Sequence, residues 1–321
     1  MGAELRTVVV AWGGSERLGP GLDAIERAGQ PFAGEIVIVG RPDDARLRSY
    51  ASRATVLAPA PGSPNTPGAH RNLGALGATA PWILFADGDV TVEPEFVRDA
   101  VALLATRPEV VGVGGRIHER QWEAESLVRE VPDLHRSGAG GEVEMLAAAW
   151  IARRTAFEAV GGFDPRLPAE EDMELCVRLA AAGGKLVALD RRAAYHDCAP
   201  RPSWAEIRRR FAGGLFAGQG LLLRYSWGTP FFARHLWRQR LFLATLLYAL
   251  LGTGLAACAL VSGGGARAAF AAWALGALGV WALMALRKRS LALGGLAVVT
   301  WLALGVGITR AWISGSPGRA A

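Results

Sequence analysis

Three apolar stretches near the carboxyl end of the chain constrain its fold more than any other feature of the sequence. They occupy 241–262, 268–286 and 291–309, and none of them contains a charged residue. Each has close to the roughly 20 residues that a helix needs to cross a hydrocarbon core about 30 Å thick. The sequence therefore predicts an all-α transmembrane region of three helices within residues 241–321.

The charged residues divide the chain at Glu206, which is its last acidic residue. All 29 Asp and Glu residues and 22 of the 35 Lys and Arg residues lie in 1–206, whereas 207–321 carries 13 basic residues and no acidic one. The basic residues of the second part flank the apolar stretches, where anionic lipid headgroups attract them. We therefore predict a membrane as the partner of this part, and no nucleic acid.

Basic residues are distributed unevenly around the predicted helices. Arg234, Arg238 and Arg240 precede the first helix and 287–289 separates the second from the third, whereas the loop at 263–267 contains one arginine. By the positive-inside rule, the domain before the first helix and the loop at 287–289 face the cytoplasm. The amino-terminal apolar run VVVAW is too short for a signal peptide. We therefore predict a multi-pass protein of the inner (cytoplasmic) membrane with a cytoplasmic catalytic domain.

Residues 203–240 are predicted to form an amphipathic interface helix and a juxtamembrane linker. Ser203 and Glu206 have the spacing of a helix-capping pair. Apolar side chains recur at helical spacing as far as Leu215, while 208–210 places three arginines on the other side. A soluble amphipathic helix that packs on the core of the preceding domain is the alternative.

Residues 1–202 show the alternation of an α/β domain. Short β-branched runs predict strands at 6–12, 34–40, 81–87 and 109–115. Helical patterns fall at 18–28, 68–79, 94–106 and 170–182. Such alternation indicates a mostly parallel sheet, whose sites gather at the carboxyl ends of strands. The stretch ILFADGDV places Asp87 and Asp89 at such an end, where two carboxylates suit either an Asp-Gly turn or a divalent-metal site.

Four motifs follow one another along this domain. They are D-x-D at 87–89 with Pro94-Glu95 after it, RRTAFEAVGGFD at 153–164, the Glu171-Asp172 pair that opens a helix, and Tyr195-His196 after the next strand. In this order and spacing they closely resemble the family 2 glycosyltransferases, over residues 5–200. The resemblance implies an α/β catalytic domain of the GT-A fold, Rossmann-like with a mostly parallel mixed sheet, followed by the transmembrane region.

The resemblance also implies roles for individual residues. Asp87 and Asp89 hold a divalent cation, Mg²⁺ or Mn²⁺, and the ribose and diphosphate of a nucleotide-sugar donor such as a UDP- or GDP-sugar. Asp172 is the catalytic general base that takes the proton of the acceptor hydroxyl, and Glu171 beside it raises the proton affinity of Asp172. The alternative for Glu171 and Asp172 is a helix N-terminus whose acidic residues complement the helix dipole.

Other positions match the family with less distinctive chemistry. Arg71 and Asn72 fall where the family binds the donor, with a solvated helix start as the alternative, and Gly162 shapes the floor beneath the sugar. His196 suits either a third metal ligand or a residue that caps a strand end. Trp150 suits either the sugar pocket or the core.

The first two predicted strands depart from the family pattern. They end in AWGGSERLG and VGRPDD, so the contact with the base passes to Asp43 or Asp44 or is lost, and we assign Trp12 and Asp43 to donor binding. The loop GGSERLG at 13–19 is similar to the glycine-rich loop of nucleotidyltransferases, whose backbone amides cradle a triphosphate. The identity of the nucleotide therefore stays open.

Together these features predict a membrane-anchored, inverting glycosyltransferase whose acceptor is lipid-linked or a cell-surface glycan. One alternative is a nucleotidyltransferase that acts on a sugar phosphate, which has no need of the segment from GGFD to EED. The other is a membrane scaffold with an inactive transferase domain, which has no reason to keep the carboxylates of both DGD and EED.

Overall fold

The computed structural model of the chain describes residues 4–11, 18–41, 44–133, 140–200 and 203–316. The chain forms two compact units, Met1–Pro200 and Arg201–Ala321. The first unit contains the sheet and its helices, and the second consists of helices.

The first unit alternates strands and helices along most of its length. Its strands are β1 (Leu5–Ala11), β2 (Ile36–Gly40), β3 (Thr55–Leu57), β4 (Trp82–Asp87), β5 (Val90–Val92), β6 (Val110–Glu123), β7 (Ser126–Val131), β8 (Gly141–Glu142), β9 (Ala149–Arg153) and β10 (Lys185–Cys198). Its helices are α1 (Leu18–Gly29), α2 (Pro67–Ala75), α3 (Pro94–Thr106), α4 (Arg154–Ala159) and α5 (Glu171–Ala181). The helix predicted at 68–79 ends early because the chain turns at Gly77, whose φ is +70°.

The strands form one mixed sheet in the order β3-β2-β1-β4-β9-β6-β10-β5. The first four of these strands run parallel, as do β6 and β10, whereas β9 lies antiparallel between β4 and β6. The predicted α/β class with a mostly parallel mixed sheet is therefore confirmed. The strand predicted at 109–115 extends to Glu123, because β10 pairs with it as far as Cys198.

Each face of the sheet buries its own apolar cluster. Successive side chains of a strand point to opposite faces, so Val9 packs in the cluster of Leu22 from α1, whereas Val8 packs in the cluster of Leu175 from α5. All of these side chains are buried. Two covered faces explain why the strands appear in the sequence as nearly continuous apolar runs.

The second unit begins with two short helices, α6 (Trp204–Ala212) and α7 (Gly218–Ser226). Ser203 caps α6 as predicted, since its hydroxyl accepts a 3.1 Å hydrogen bond from the amide of Glu206. The amphipathic helix predicted within 203–240 ends at Ala212 and does not reach Leu215, because Gly214 has a φ of +72° and a 3₁₀ turn follows at Leu215–Ala217.

Three long helices complete the second unit: α8 (Phe232–Val261), α9 (Gly264–Lys288) and α10 (Leu291–Ser314). All three are long and apolar enough to cross a membrane. The first begins nine residues before the predicted 241, so it includes the basic residues that precede the apolar stretch. Only 6% of the most apolar window of α8 and of α9 is buried, against 28% for α10. So much apolar surface outside protein contact is typical of helices that face lipid.

Candidate active site

The DGD segment connects β4 to β5, and its two carboxylates lie beside different residues. Asp87 is the last residue of β4. After the turn at Gly88, whose amide donates to the Val10 carbonyl at 2.8 Å, β5 runs antiparallel to β10 with Val90 opposite His196. The amide of Asp197 donates to the carbonyl of Asp89 at 2.9 Å. The turn therefore brings Asp89 beside β10, while Asp87 stays at the end of β4.

Arg71 lies at the centre of the carboxylates. Its guanidinium donates to Glu171 Oε1 at 2.6 Å and to Asp87 Oδ1 at 2.7 Å, and Asp172 Oδ1 lies 3.8 Å from its Nη1. The side chain is 4% exposed, so the alternative of a solvated helix start does not describe it. Glu170, immediately before α5, has a φ of +70°. This rare conformation for a non-glycine residue marks a locally strained entry to the helix that carries Glu171 and Asp172.

Burial dominates the electrostatics of the cluster. It raises the pKa of Asp172 to about 8, an effect that Arg71 opposes and that the charges of Glu171 and Asp87 reinforce. Burial also raises the pKa of Asp87, with Arg71 acting against it and Asp89 adding to it. The pKa of Arg71 is raised by the carboxylates that surround it, although burial alone would lower it. The single arginine therefore compensates only part of the negative charge.

The cluster fits a divalent cation. Asp87, Asp89, Glu171 and Asp172 carry four negative charges when ionised, and Arg71 with a protonated His196 carries two positive ones. The Oδ1 atom of Asp172 is buried and has no hydrogen-bond partner within the described ranges. Carboxylate oxygens are the ligands that Mg²⁺ and Mn²⁺ prefer. The remaining two negative charges match one such ion.

His196 lies on the Asp89 side of the cluster. Its Nε2 is 3.4 Å from Asp89 Oδ2, and its Nδ1 is 3.9 Å from Glu119 Oε2. Burial by itself lowers the pKa of His196, but the proximity of Asp89 and Cys198 and the charge of Asp87 raise it to about 10. His196 is therefore adjacent to Asp89, as a third metal ligand requires, although its role as a ligand stays a prediction.

The GGFD turn is held by Asn72. The Asn72 amide nitrogen donates to the Phe163 carbonyl at 2.8 Å, and its oxygen accepts from the Phe163 amide at 2.9 Å. Both ends of the side chain are thus bonded to the backbone of one residue. Donor binding by Asn72 and Gly162 stays a prediction, whereas the two hydrogen bonds between Asn72 and Phe163 are a feature of the structure.

We expect Gly162→Ala to be more damaging than Gly161→Ala. Both glycines have positive φ, +71° and +80°, so each substitution is expected to cost about 1 kcal/mol of folding free energy for backbone strain. A Cβ on Gly162 would also lie 2.6 Å from Asn72 Oδ1, whereas one on Gly161 meets no atom within 4 Å. The measurement is the thermal midpoint of each variant in detergent. Equal midpoints would show that the Asn72 contact contributes nothing.

The other predicted residues fall in different places. Trp150 is 1% exposed and packs against Phe85 and Phe163 at ring distances of 5.4 and 6.4 Å, so it belongs to the core. Its indole lies near enough to the Asp172 carboxyl to lower the pKa of that group, without a hydrogen bond of ordinary geometry. Trp12 and Asp43 lie outside the described residues, as does most of the loop at 13–19.

Sequence reasoning missed Glu119, which is buried beside His196. The long strand β6 places Glu119 directly opposite His196 in the parallel pairing with β10. A signal was present in the alternation of HERQWE, in which every second residue shares one face. The strand predicted from the sequence ends at 115, so this alternation lies beyond it.

Comparison with known proteins identifies the family. A sequence model described as glycosyl transferase family group 2 matches residues 82–304, more than half of the chain. The chain belongs to this family. The family predicted from the resemblance of its motifs is therefore confirmed.

Two kinds of relative support the assignment. A pre-mycofactocin glycosyltransferase from Mycobacterium tuberculosis is 31% identical over 169 residues, which are 47% of this chain and 34% of the relative. The matched part thus spans about a third of the relative's length. A mannosyltransferase from Pyrobaculum calidifontis, solved with GDP-Man and Mn²⁺, superposes with a TM-score of 0.64 at 17% identity, covering 97% of this chain and 87% of that one. This likeness shows that the fold is GT-A-like.

Proposed function

We propose that the protein is a membrane-anchored, inverting glycosyltransferase that moves a sugar from a nucleotide-sugar donor to a lipid-linked or cell-surface glycan acceptor. The observation that carries the proposal is the convergence of Asp87, Glu171 and Asp172 on one buried arginine, with Asp89 two residues after Asp87. It lies at the carboxyl end of β4, where α/β sheets bind ligands. The mannosyltransferase with the same fold was solved with a GDP-sugar and Mn²⁺, which supports a nucleotide-sugar donor here.

The residues divide the reaction between them. The acceptor hydroxyl oxygen attacks the anomeric carbon as the bond from that carbon to the diphosphate breaks, which inverts the configuration, and the nucleoside diphosphate leaves. Asp172 takes the hydroxyl proton, for which its raised pKa suits it. Arg71 holds Asp87 and Glu171 in fixed positions. Asp87 and Asp89 would hold a divalent cation, which when bound supplies positive charge to the leaving diphosphate, and His196 Nε2 lies 3.4 Å from Asp89.

The second unit supports an acceptor at the membrane surface. Trp204 and Phe211 on α6 are 61% and 38% exposed, and Arg209 and Arg210 of the same helix bind Glu206. Exposed aromatic and basic groups on a short amphipathic helix suit the headgroup layer. We therefore assign 203–240 to an interface helix and linker. An enzyme held in the headgroup layer by this segment would meet acceptors whose lipid part is in the bilayer.

Asp89→Ala is expected to weaken metal-dependent binding of nucleoside diphosphate. The change removes a carboxylate from the predicted cation site and leaves the fold intact, because that side chain is 45% exposed. Calorimetric titration of the full-length protein with UDP, GDP and dTDP, each with Mn²⁺ or with chelator, measures the effect. We expect affinity for one nucleotide to fall by at least about tenfold both with chelator and in the variant.

Asp23→Ala is the matched control, since Asp23 is an exposed carboxylate on α1, paired with Arg53. It should bind as the unaltered protein does. Nucleotide binding that is unaffected by Asp89→Ala would contradict the proposed site. Pyrophosphate release from a nucleoside triphosphate and a sugar phosphate would instead support the nucleotidyltransferase alternative.

The orientation in the inner membrane can be tested at two loops. In a cysteine-free background, Ser262→Cys marks the connection between α8 and α9, and Ser290→Cys marks that between α9 and α10. We expect a membrane-impermeant maleimide to label Ser262→Cys on intact spheroplasts and Ser290→Cys only after lysis, because the basic residues 287–289 stay in the cytoplasm. The reverse pattern would place the catalytic domain outside.

A further inference from the structure

A mixed group of ligating side chains lies beside the cluster of aspartates. One ligand atom from each of Glu119, His196 and Cys198 lies within 4.8 Å of the others. The parallel pairing of β6 and β10 produces this group, because His196 is opposite Glu119 and Cys198 is opposite Gln121. Residues two apart in a strand share a face, so all four side chains point to the same side.

The imidazole of His196 separates this group from the DGD carboxylates. Its Nε2 faces Asp89 Oδ2 at 3.4 Å, and its Nδ1 faces Glu119 Oε2 at 3.9 Å. Nδ1 is buried and has no hydrogen-bond partner among the residues that the structure describes. Since the two nitrogens point in different directions from the ring, an ion on the Nδ1 side is distinct from one held by Asp87 and Asp89.

Neighbouring groups already orient the ligands. The Gln121 amide donates to Glu119 Oε1 at 2.6 Å, which leaves Oε2 directed at the histidine. Asp89 stands on the other side of the ring, where it can accept a proton from Nε2. A carboxylate on the far nitrogen is the usual partner of a metal-bound histidine, because it fixes the ring and makes it a better ligand.

The geometry points to a second cation site, formed by Glu119, His196 Nδ1 and Cys198, that binds Zn²⁺. Carboxylate, imidazole and thiolate together suit Zn²⁺, whereas Mg²⁺ and Mn²⁺ prefer oxygen ligands. Bond lengths of about 2.0–2.3 Å in a tetrahedral site put ligand atoms roughly 3.5 Å apart, so a small closure of the group is enough. A water molecule supplies the fourth ligand. The ion displaces the protons of the imidazole and the thiol as it binds.

A zinc ion at this site would link the carboxyl end of β10 to β6. It would fix the ring of His196, and through Nε2 the carboxylate of Asp89, without contacting the donor. The site therefore serves to position the DGD carboxylates, and its occupancy is measurable in the absence of any sugar nucleotide.

The test is Zn²⁺ binding by full-length protein in detergent, first stripped with chelator and then titrated against a chromophoric zinc indicator. We expect one tight site in the unaltered protein, weakened at least about 100-fold by Cys198→Ser and by Glu119→Gln. Cys258→Ser is the matched control, because that thiol lies in α8, and it should bind Zn²⁺ normally. With Co²⁺ in place of Zn²⁺, a thiolate-to-metal absorption band should appear and should be missing in Cys198→Ser.

Two further results decide between one cation site and two. Asp87→Asn should leave Zn²⁺ affinity within about threefold, because Asp87 is not a ligand of the second site, and gel filtration should show that each variant is folded. Equal Zn²⁺ affinity in the unaltered protein and Cys198→Ser would overturn the proposal. Loss of Zn²⁺ binding in a folded Asp87→Asn would also overturn it, because a single shared cation would then explain both groups.

Discussion

Asp172→Asn is expected to lower kcat for sugar transfer by roughly 10²–10⁴-fold, the usual contribution of a general base. The amide keeps the size of the carboxylate but accepts no proton from the acceptor hydroxyl. The donor Kd should change by less than about threefold, because the change removes an interaction made as the proton moves. Steady-state kinetics, together with donor titration of the same preparation, separates the two quantities.

Asp164→Asn provides the matched control for this result. Asp164 lies shortly before α5, but both of its carboxylate oxygens accept hydrogen bonds from the guanidinium of Arg166, at 2.9 and 2.6 Å. Its pKa is lowered by these bonds although burial acts to raise it, which is the opposite of the shift at Asp172. We expect Asp164→Asn to retain most of the activity. An Asp172→Asn enzyme with unchanged kcat would exclude Asp172 as the base.

Arg71→Met is expected to destabilise the catalytic unit by about 3–5 kcal/mol, the cost of removing one partner from a buried ion pair. Methionine fills a similar volume, so the lost stability comes from removing the positive charge beside Asp87, Glu171 and Asp172. The effect should appear as a thermal midpoint several degrees lower, measured by intrinsic fluorescence of the full-length protein in detergent.

Two comparisons isolate the electrostatic origin of this loss. Arg98→Met removes an exposed arginine, 3.4 Å from Glu95, and should shift stability by no more than about 0.5 kcal/mol. Adding Glu171→Gln to Arg71→Met removes one of the uncompensated charges, so the double variant should be more stable than Arg71→Met alone. If Glu171→Gln instead adds a further loss, repulsion among the carboxylates is not the cause.

The local motifs of the active site could be predicted from the sequence because each depends on residues close together in the chain. The run ILFADGDV contains a buried strand and its turn, and α3 begins and ends at the predicted residues 94 and 106. The transmembrane stretches are likewise recognised from composition alone. In these segments local preference and tertiary packing favour the same conformation.

The contacts between motifs could not be predicted in the same way. Arg71 and Glu171 are 100 residues apart, and nothing local to Arg71 shows that its charge meets three carboxylates instead of the donor. The pairing of His196 with Glu119 depends on the register of β10, which shifts twice between Ala188 and Ala194. A one-residue change in register would move every side chain to the other face.

The most direct test of the proposed function is release of nucleoside diphosphate from a panel of UDP-, GDP- and dTDP-sugars by the detergent-purified protein, with Mg²⁺ or Mn²⁺ and a membrane lipid extract. We predict release from one donor that is abolished by chelator, by Asp89→Ala and by Asp172→Asn, and that is retained in Asp23→Ala. Release that continues in both active-site variants, or no release from any donor, would contradict a glycosyltransferase centred on these carboxylates.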